Sequence, residues 1–331
     1  MYKDQWQDFP KANGSRAFSR NRLVLGSQLE IQNQSSSHVF SMEYIERNDL
    51  LVSFTPDTAK IFYYQAQDRN LPDNQLFNVH LNVQQLAANG VRFGYQTPKW
   101  NNLRLVSQLS LLHGKEFQEG HINGQIFQQT NSQGKKEYQG QGQIDYHYQQ
   151  DRILKHQLNQ PSGQGLTLDF KLNWQYQDWN ANLVIEDALQ YMRWNQLGHK
   201  NGGIGTKNMS TDDSGFVRYK AMFSGYLGEY NYSPQSLPRY SRAEIAHSWQ
   251  QWQLSSGAWH YHNQAFPFLA GRYLWQQQQL GLNYELNSQK LTLDYRYHRK
   301  KSTFSLAFGS NSWNPKLAHA LEVQLGGYYQ F

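Results

Sequence analysis

The sequence predicts an all-β chain, folded as a single antiparallel transmembrane β-barrel of about 14 strands (roughly 12–16), with short turns at one end and longer loops at the other. Three observations carry this. Apolar and polar residues alternate with a period of two, a spacing that sorts side chains on a strand and cannot sort them on a helix. Turn-forming pairs punctuate the chain throughout. Polar character comes from Gln, Asn and Ser, with only 17% of residues charged and 15% aromatic.

The alternation is clearest over 137–149. There Tyr138, Gly140, Gly142, Ile144, Tyr146 and Tyr148 share one face, and Gln139, Gln141, Gln143, Asp145 and His147 share the other. It is nearly as long over 166–177, where Leu166, Leu168, Phe170, Leu172, Trp174 and Tyr176 oppose Thr167, Asp169, Lys171 and Asn173. Shorter runs recur at Phe77 to Val83, Leu103 to Leu111, Val217 to Phe223, Leu280 to Leu286, Leu291 to Tyr297 and Leu321 to Phe331. Between runs stand Pro56-Asp57, Pro72-Asp73, Asn89-Gly90, Pro161 to Gly163, Asn287-Ser288 and Asn311-Ser312, which preset or reverse φ. Residues 38–66 read as short strands of unclear register. Residues 183–194 fit a strand or a short helix, because Val184, Ala188, Tyr191 and Met192 also match a period of 3.6. Residues 196–215 read as one long loop. Residues 1–20 read as an N-terminal periplasmic arm or small plug, and 21–331 as the barrel.

Composition removes several classes. The chain has 331 residues and no Cys, which excludes a disulfide scaffold and a thiolate metal site. Mean hydropathy is −0.81, and no run is long and apolar enough for a membrane helix. A net charge of +6, from 31 basic and 25 acidic residues spread along the chain, lacks the clustered basic face that phosphate binding needs. No nucleic-acid partner is expected.

Strand length then separates two all-β solutions. Soluble sandwich strands average five or six residues and carry many charges on their wet face. A tilted strand needs about 9–11 residues to cross a bilayer, and only a closed barrel satisfies every backbone group there. The apolar faces would meet lipid, with Tyr138, Tyr146, Tyr148, Trp174, Tyr176, Tyr295, Tyr297, Tyr329 and Phe331 toward strand ends as an interfacial girdle. The other faces would line the lumen with Arg104, Gln139, Gln141, Gln143, Asp145, Asp169, Lys171, Arg218, Lys220, Arg242, Asp294 and Arg296. A soluble Gln-rich, lectin-like sandwich is the alternative, and it predicts solubility without detergent.

The last strand, Leu321 to Phe331, sets apolar residues at every second position and ends on Phe331, with Tyr329 two positions earlier. This resembles the terminal β-signal by which bacterial outer-membrane barrels are recognised and inserted. The resemblance covers the class of porin-like barrels. It implies a location in the outer membrane of a Gram-negative bacterium and a signal peptide removed before the mature start. It also implies lipid bilayer, lipopolysaccharide and the barrel assembly machinery as partners, with Tyr329 and Phe331 as the insertion signal.

No catalytic constellation emerges. His247 precedes Ser248 directly, so the pair falls on opposite faces of a strand and cannot act as nucleophile and base. Asp212-Asp213 has no His within reach in the sequence. His260 and His262 share a face but lack a third ligand. The Gly202-Gly203-Ile204-Gly205 run lacks the ending of a phosphate loop. No enzyme activity, cofactor or metal is expected. What remains is the lumen wall, whose mixed charges suit an outer-membrane channel for passive or weakly selective diffusion of small hydrophilic solutes. The alternative is a closed barrel acting as a scaffold for envelope assembly, secretion or adhesion, through its loops and a protein partner.

Overall fold

The computed structural model describes residues 15–33, 36–130, 132, 134, 136–150, 158, 161–205, 209–211, 217–219, 222–232, 239–314 and 318–329. The chain is all-β and antiparallel, with one helix among the described residues. The first half is built from long strands, β1 (Ser15–Asn33), β2 (Ser36–Phe54), β3 (Leu76–Gln96) and β4 (Leu103–Thr130), with the helix α1 (Pro56–Ala66) between β2 and β3. Then come β5 (Lys136–Tyr148), β6 (Ser162–Tyr176) and β7 (Trp179–Gly205), the small pair β8 (Met209–Thr211) and β9 (Val217–Tyr219), and β10 (Met222–Tyr232). The second half is a meander of short strands: β11 (Tyr240–Trp249), β12 (Trp252–Tyr261), β13 (Gln264–Trp275), β14 (Gln278–Glu285), β15 (Lys290–Arg299), β16 (Ser302–Ser310) and β17 (Leu321–Tyr329).

Fifteen of these strands form one sheet, in the order β1-β2-β3-β4-β5-β7-β11-β12-β13-β14-β15-β16-β17. Two positions are shared. β5 pairs with the second half of β4 and β6 with its first half, and both pair with β7, so they stand end to end between the same neighbours. On the other side of β7, β11 and β10 divide its length in the same way.

The sheet is strongly curled. β12 lies seven positions from β1, and at ~4.8 Å per position a flat sheet would hold them ~34 Å apart. Yet the Phe18 ring of β1 lies 5.1 Å from Tyr261 of β12 and 5.9 Å from Phe266 of β13. These contacts define a concave face. No pairing joins β1 to β17 among the described residues.

Several elements differ from the sequence reading, each for an identifiable reason. Residues 38–66 are one long strand and a helix: Thr55 caps α1, its Oγ1 accepting from the Thr58 amide, and Pro56 opens it with a preset φ. Residues 183–194 are strand. Asp187 sits at φ 55° in a bulge between β6 and β7, where residues 186–188 of β7 stand opposite Asp169 alone, and that interruption of the alternation is what imitated a helical period. Gly202 and Gly203 continue β7, paired on both sides by β5 and β10. β1 begins at Ser15, within the segment read as an arm.

The convex face carries an uncovered apolar band. Met42, Phe93, Leu109, Leu189, Ile245, Leu254, Leu269, Leu280, Leu306 and Leu325 are exposed, each on a different strand. The register keeps them on one side: Met42 opposes Phe93, Phe93 opposes Leu109, Leu269 opposes Tyr284, and Leu306 opposes Leu325. On β2 to β4 the band ends abruptly at a polar belt, with Lys115 Nζ 3.1 Å from Glu46 and Gln85 donating to Glu116. Beyond that belt the convex face is covered. Ile144, Tyr146 and Tyr148 of β5, which the alternation would aim at lipid, are buried against Ile122 and Leu158.

At the band end of the strands the reversals are tight. β6–β7, β11–β12 and β13–β14 turn through residues 177–178, 250–251 and 276–277, with Gln177, Gln250 and Gln276 at φ of 51–53°. The opposite end of the tall strands carries α1 and the longer connections.

The concave side holds the core. Leu86, Phe117, Met192, Trp194 and Leu197 form a fully buried cluster, and Ile45, Ala88 and Leu112 form another. Gly114 and Gly163 give the indole its space: a Cβ would come within 2.5 Å and 2.8 Å of Trp194 at those two positions. Truncating Trp194→Ala empties this cluster and is expected to lower stability by ~3–5 kcal/mol. Denaturant unfolding of the two proteins checks it, and an unchanged midpoint would place the indole outside the core.

Candidate functional site

The concave face is the candidate site, and charge pairing across it is its main feature. Arg47 on β2 is 5% exposed. Its Nη1 and Nη2 donate to Asp187 on β7 at 2.7 Å each, and Nε and Nη2 donate to Asp49 at 2.9 and 2.7 Å. β2 and β7 are separated by three strands in the sheet, so this pair closes the concavity rather than following the wall. The Asp187 bulge fixes the geometry: its backbone N–H donates to Asp169 Oδ1 at 2.7 Å while its carboxylate takes the guanidinium. Asp tolerates this left-handed conformation better than most side chains. Arg22 adds a bidentate contact to Asp49 at 2.7 and 3.1 Å.

A second crossing lies beside it. Arg20 pairs with Glu186 and stacks 4.0 Å over the Tyr240 ring. Phe18 packs on Trp259, Tyr261 and Phe266, and Arg16 Nη1 donates to the His262 carbonyl at 3.2 Å. The concavity between β1–β2 and β7–β13 is therefore bridged by side chains from both walls.

The residues read from the sequence as wall-lining fall as follows. Asp169 lies 3.8 Å from Arg92, which also pairs with Glu43. Arg242 bonds Glu244 at 3.0 Å, and Glu244 bonds Arg272 at 3.1 Å. Lys171 and Arg104 share the face of Asp169, Lys171 one pair and Arg104, opposite Asn173, two pairs further along the β4–β6 register. Asp294 and Arg296 share a face with Lys290, which bonds Glu285 at 2.8 Å and also Glu322. Arg218 is on the small strand β9, and Lys220 lies outside the described residues. Tyr329 ends β17 exposed, while Phe331 and Asp212-Asp213 lie outside the described residues. His247 and Ser248 do part: His247 meets Trp179 at 4.6 Å, and Ser248 accepts from Gln253 at 3.3 Å.

Gln139, Gln141, Gln143 and Asp145 line the far part of the concavity on β5, past the polar belt. Asp145 accepts from His199 Nε2 at 3.0 Å and from Asn201 at 2.7 Å. His199, His147 and Tyr232 form a near-parallel stack, with centroids 4.1 and 4.0 Å apart and planes within 13°. Tyr232 donates to Glu119 at 2.9 Å. Burial, and then the neighbouring His199, push the His147 imidazole down to about 4; burial raises Glu119. Asp145, His147 and His199 bring ligand atoms within 4.8 Å of one another. Parallel rings, however, aim their in-plane lone pairs side by side, so one imidazole must rotate out of the stack before both can meet a single ion.

Sequence reading missed Arg47, Asp49, Asp187 and Glu186. The broken alternation at 183–194 pointed to Glu186 and Asp187, and no local signal pointed to Arg47 or Asp49. No protein-family model, curated protein or solved structure matches this chain.

Two outcomes follow from these contacts. Arg47→Met leaves two buried carboxylates short of their cation and is expected to cost ~3–5 kcal/mol. Adding Asp187→Leu to that variant should recover part of the loss, as measured by denaturant unfolding. The second concerns pH. The folded pKa of His147 lies below its unfolded value, so the unfolded state binds more protons between the two. Stability is full above the ordinary value of 6.5 and is lost as pH falls toward about 4. His147→Gln should flatten the stability slope in that window; an unchanged slope would assign it to other groups.

Proposed function

We propose that this chain is an outer-membrane β-barrel of the bacterial type whose interior is filled by its own side chains. On this reading it acts as a closed envelope scaffold through its loops and partners. The observation that carries the reading is the pairing of an uncovered apolar convex band with a charged, bridged concave face. Exposed apolar patches on soluble monomers rarely exceed a few hundred Å². Here exposed Leu, Phe and Tyr run over neighbouring strands from β1 to β17. Lipid is the solvent that removes that cost.

The dimensions agree. β11 to β17 have 8 to 12 residues each. About 10 residues at ~3.3 Å, tilted by ~40°, rise ~25 Å, the height of a barrel's apolar band. Two-residue turns recur at one end of the band, after β6, β11, β13 and β15, as periplasmic turns do, and the β12–β13 turn at the other end is equally short. The strand β17 with Tyr329 would serve the assembly machinery, and lipopolysaccharide would meet the band's outer rim. Strand pairing across the β1–β17 seam is part of the proposal.

An open channel for small hydrophilic solutes is the competing reading. Against it stand Arg47–Asp187, Arg20–Glu186 and the Phe18 ring cluster, which occupy the space a solute would need.

Leu269, the sixth of the twelve residues of β13, is 56% exposed in the middle of the band. Leu269→Arg should cost ~2–4 kcal/mol in a membrane barrel and block insertion, whereas a soluble sheet would absorb it within ~0.5 kcal/mol. Insertion into liposomes and heat-modifiable gel mobility read the difference. In planar bilayers the folded wild type should give no large conductance steps, and discrete steps would restore the channel.

A further inference from the structure

A cavity of about 490 Å³ lies under α1, on the convex face beyond the polar belt. Ile61 and Tyr64 of the helix, Leu71 after it, and Val79, Ile126 and Tyr138 of β3 to β5 line it. Its floor is backbone. Gly124, Gly140 and Gly142 occupy the alternate positions of β4 and β5 that point under the helix, and Gly124 opposes Gly142 in register. Without those side chains the sheet cannot fill the space below α1.

The helix does not settle into the gap because it is tied at a fixed height. At its first turn, the Asn78 amide donates to Asp57 Oδ2 at 3.0 Å and the His80 amide donates to Thr58 Oγ1 at 2.9 Å. Past its last turn, Tyr138 Oη donates to Asn70 Oδ1 at 3.2 Å. Packed interiors carry few voids larger than a water, and an apolar void of ~150 Å³ already accepts benzene. This one is about three times larger and is held open at both ends.

Arg69 is the one charged residue lining the cavity, and it is exposed. Among the described residues it forms no ion pair. A guanidinium beside an apolar slot matches an anionic group attached to a hydrocarbon. We propose that this pocket binds a single acyl chain carrying an anionic head, with the chain over the glycine floor and the head on Arg69. The site is argued from the pocket, and its test in a bilayer rests on the membrane reading; a chain that does not enter nanodiscs fails that reading, whereas unaltered pocket labelling in the variants fails this one.

The test uses the full chain in nanodiscs of zwitterionic lipid and a long-chain fatty acid bearing a photoreactive diazirine, with labelled peptides mapped by mass spectrometry. Labelling should be saturable on the segments 56–75 and 136–148 and competed by palmitate. Gly140→Val projects into the slot, its Cβ 3.3 Å from the Gln125 carbonyl, and should cut that labelling about tenfold. Arg69→Gln, which leaves the slot intact, should cut it about three- to fivefold. Labelling of the band strands reports nonspecific lipid contact and should match in all three proteins, and equal heat-modifiable gel mobility shows that each is folded. Competition by palmitate alone supports the site and assigns a free acid; competition by lysophosphatidylglycerol as well supports it and assigns a lipid head. Labelling confined to the band, or equal at the pocket in both variants, overturns the proposal.

Discussion

The Arg47 guanidinium, held between Asp49 and Asp187, is the constraint around which the rest of the architecture is arranged. A sheet of this size has no intrinsic reason to stop curling at one radius, because twist fixes handedness and not diameter. A four-bond cation between β2 and β7 sets the distance at which the two walls stand. Buried ion pairs seldom add net stability over apolar residues of the same size, since desolvation offsets the attraction. What they add is geometry, because a misplaced partner leaves a buried charge uncompensated. Arg20–Glu186 repeats the crossing from β1, and Arg22 on that same strand holds the Asp49 carboxylate that Arg47 uses, so the curl is fixed by pairs that must be satisfied together.

Much of the wall was legible from sequence because period two is a property of each strand alone. The faces of 166–177 and 280–297 come out as read, with Leu280, Leu282 and Leu293 exposed on one side and Asp169 buried on the other. What was not legible depends on pairs far apart in the chain. Nothing local marks Arg47 as the partner of a residue 140 positions away. Bulges hide more. The shift between Ala87 and Ala88 on β3, opposite Lys115, exchanges the faces of β4, so Leu109 and Leu111 point outward while Phe117 points inward. The apolar face of 137–149 was read correctly as a face and wrongly as uncovered, because its cover comes from α1 and Leu158, outside the strand. The helix itself carried a local signature, Thr55-Pro56-Asp57, that alternation-based reading passed over.

The two faces obey opposite rules, and the proposed membrane setting accounts for that. In water, apolar burial drives folding and polar groups take the outside. In lipid the outer surface gains nothing from being covered, so the interior must hold the strands in place through polar contacts and shape. The concave side does both: carboxylates bind guanidiniums, while Trp194 occupies a space that Gly114 and Gly163 leave for it. The belt of Glu46, Lys115, Gln85 and Glu116 marks where the rule changes. Past it the convex face behaves as a water-facing protein, burying Phe77, Ile144 and Tyr148 under other segments.

That change of rule bears on what the interior can transmit. A wall braced by isolated surface pairs would breathe, since exposed pairs contribute at most about 1 kcal/mol each. The pairs here are buried at Arg47 and half-buried elsewhere, and they share members: Asp49 serves Arg22 and Arg47, Asp187 serves Arg47 through its carboxylate and Asp169 through its amide, and Glu244 serves Arg242 and Arg272. Moving the paired strands β1 and β2 away from β7 breaks Arg47–Asp187 and Arg20–Glu186 together, so this part of the concavity holds or opens as a unit. A solute path through this interior would need that whole network to yield, while the tall β1–β5 wall and α1 can present a surface to a partner without disturbing it. The same bonds that leave little room for a pore supply the rigidity a docking scaffold requires.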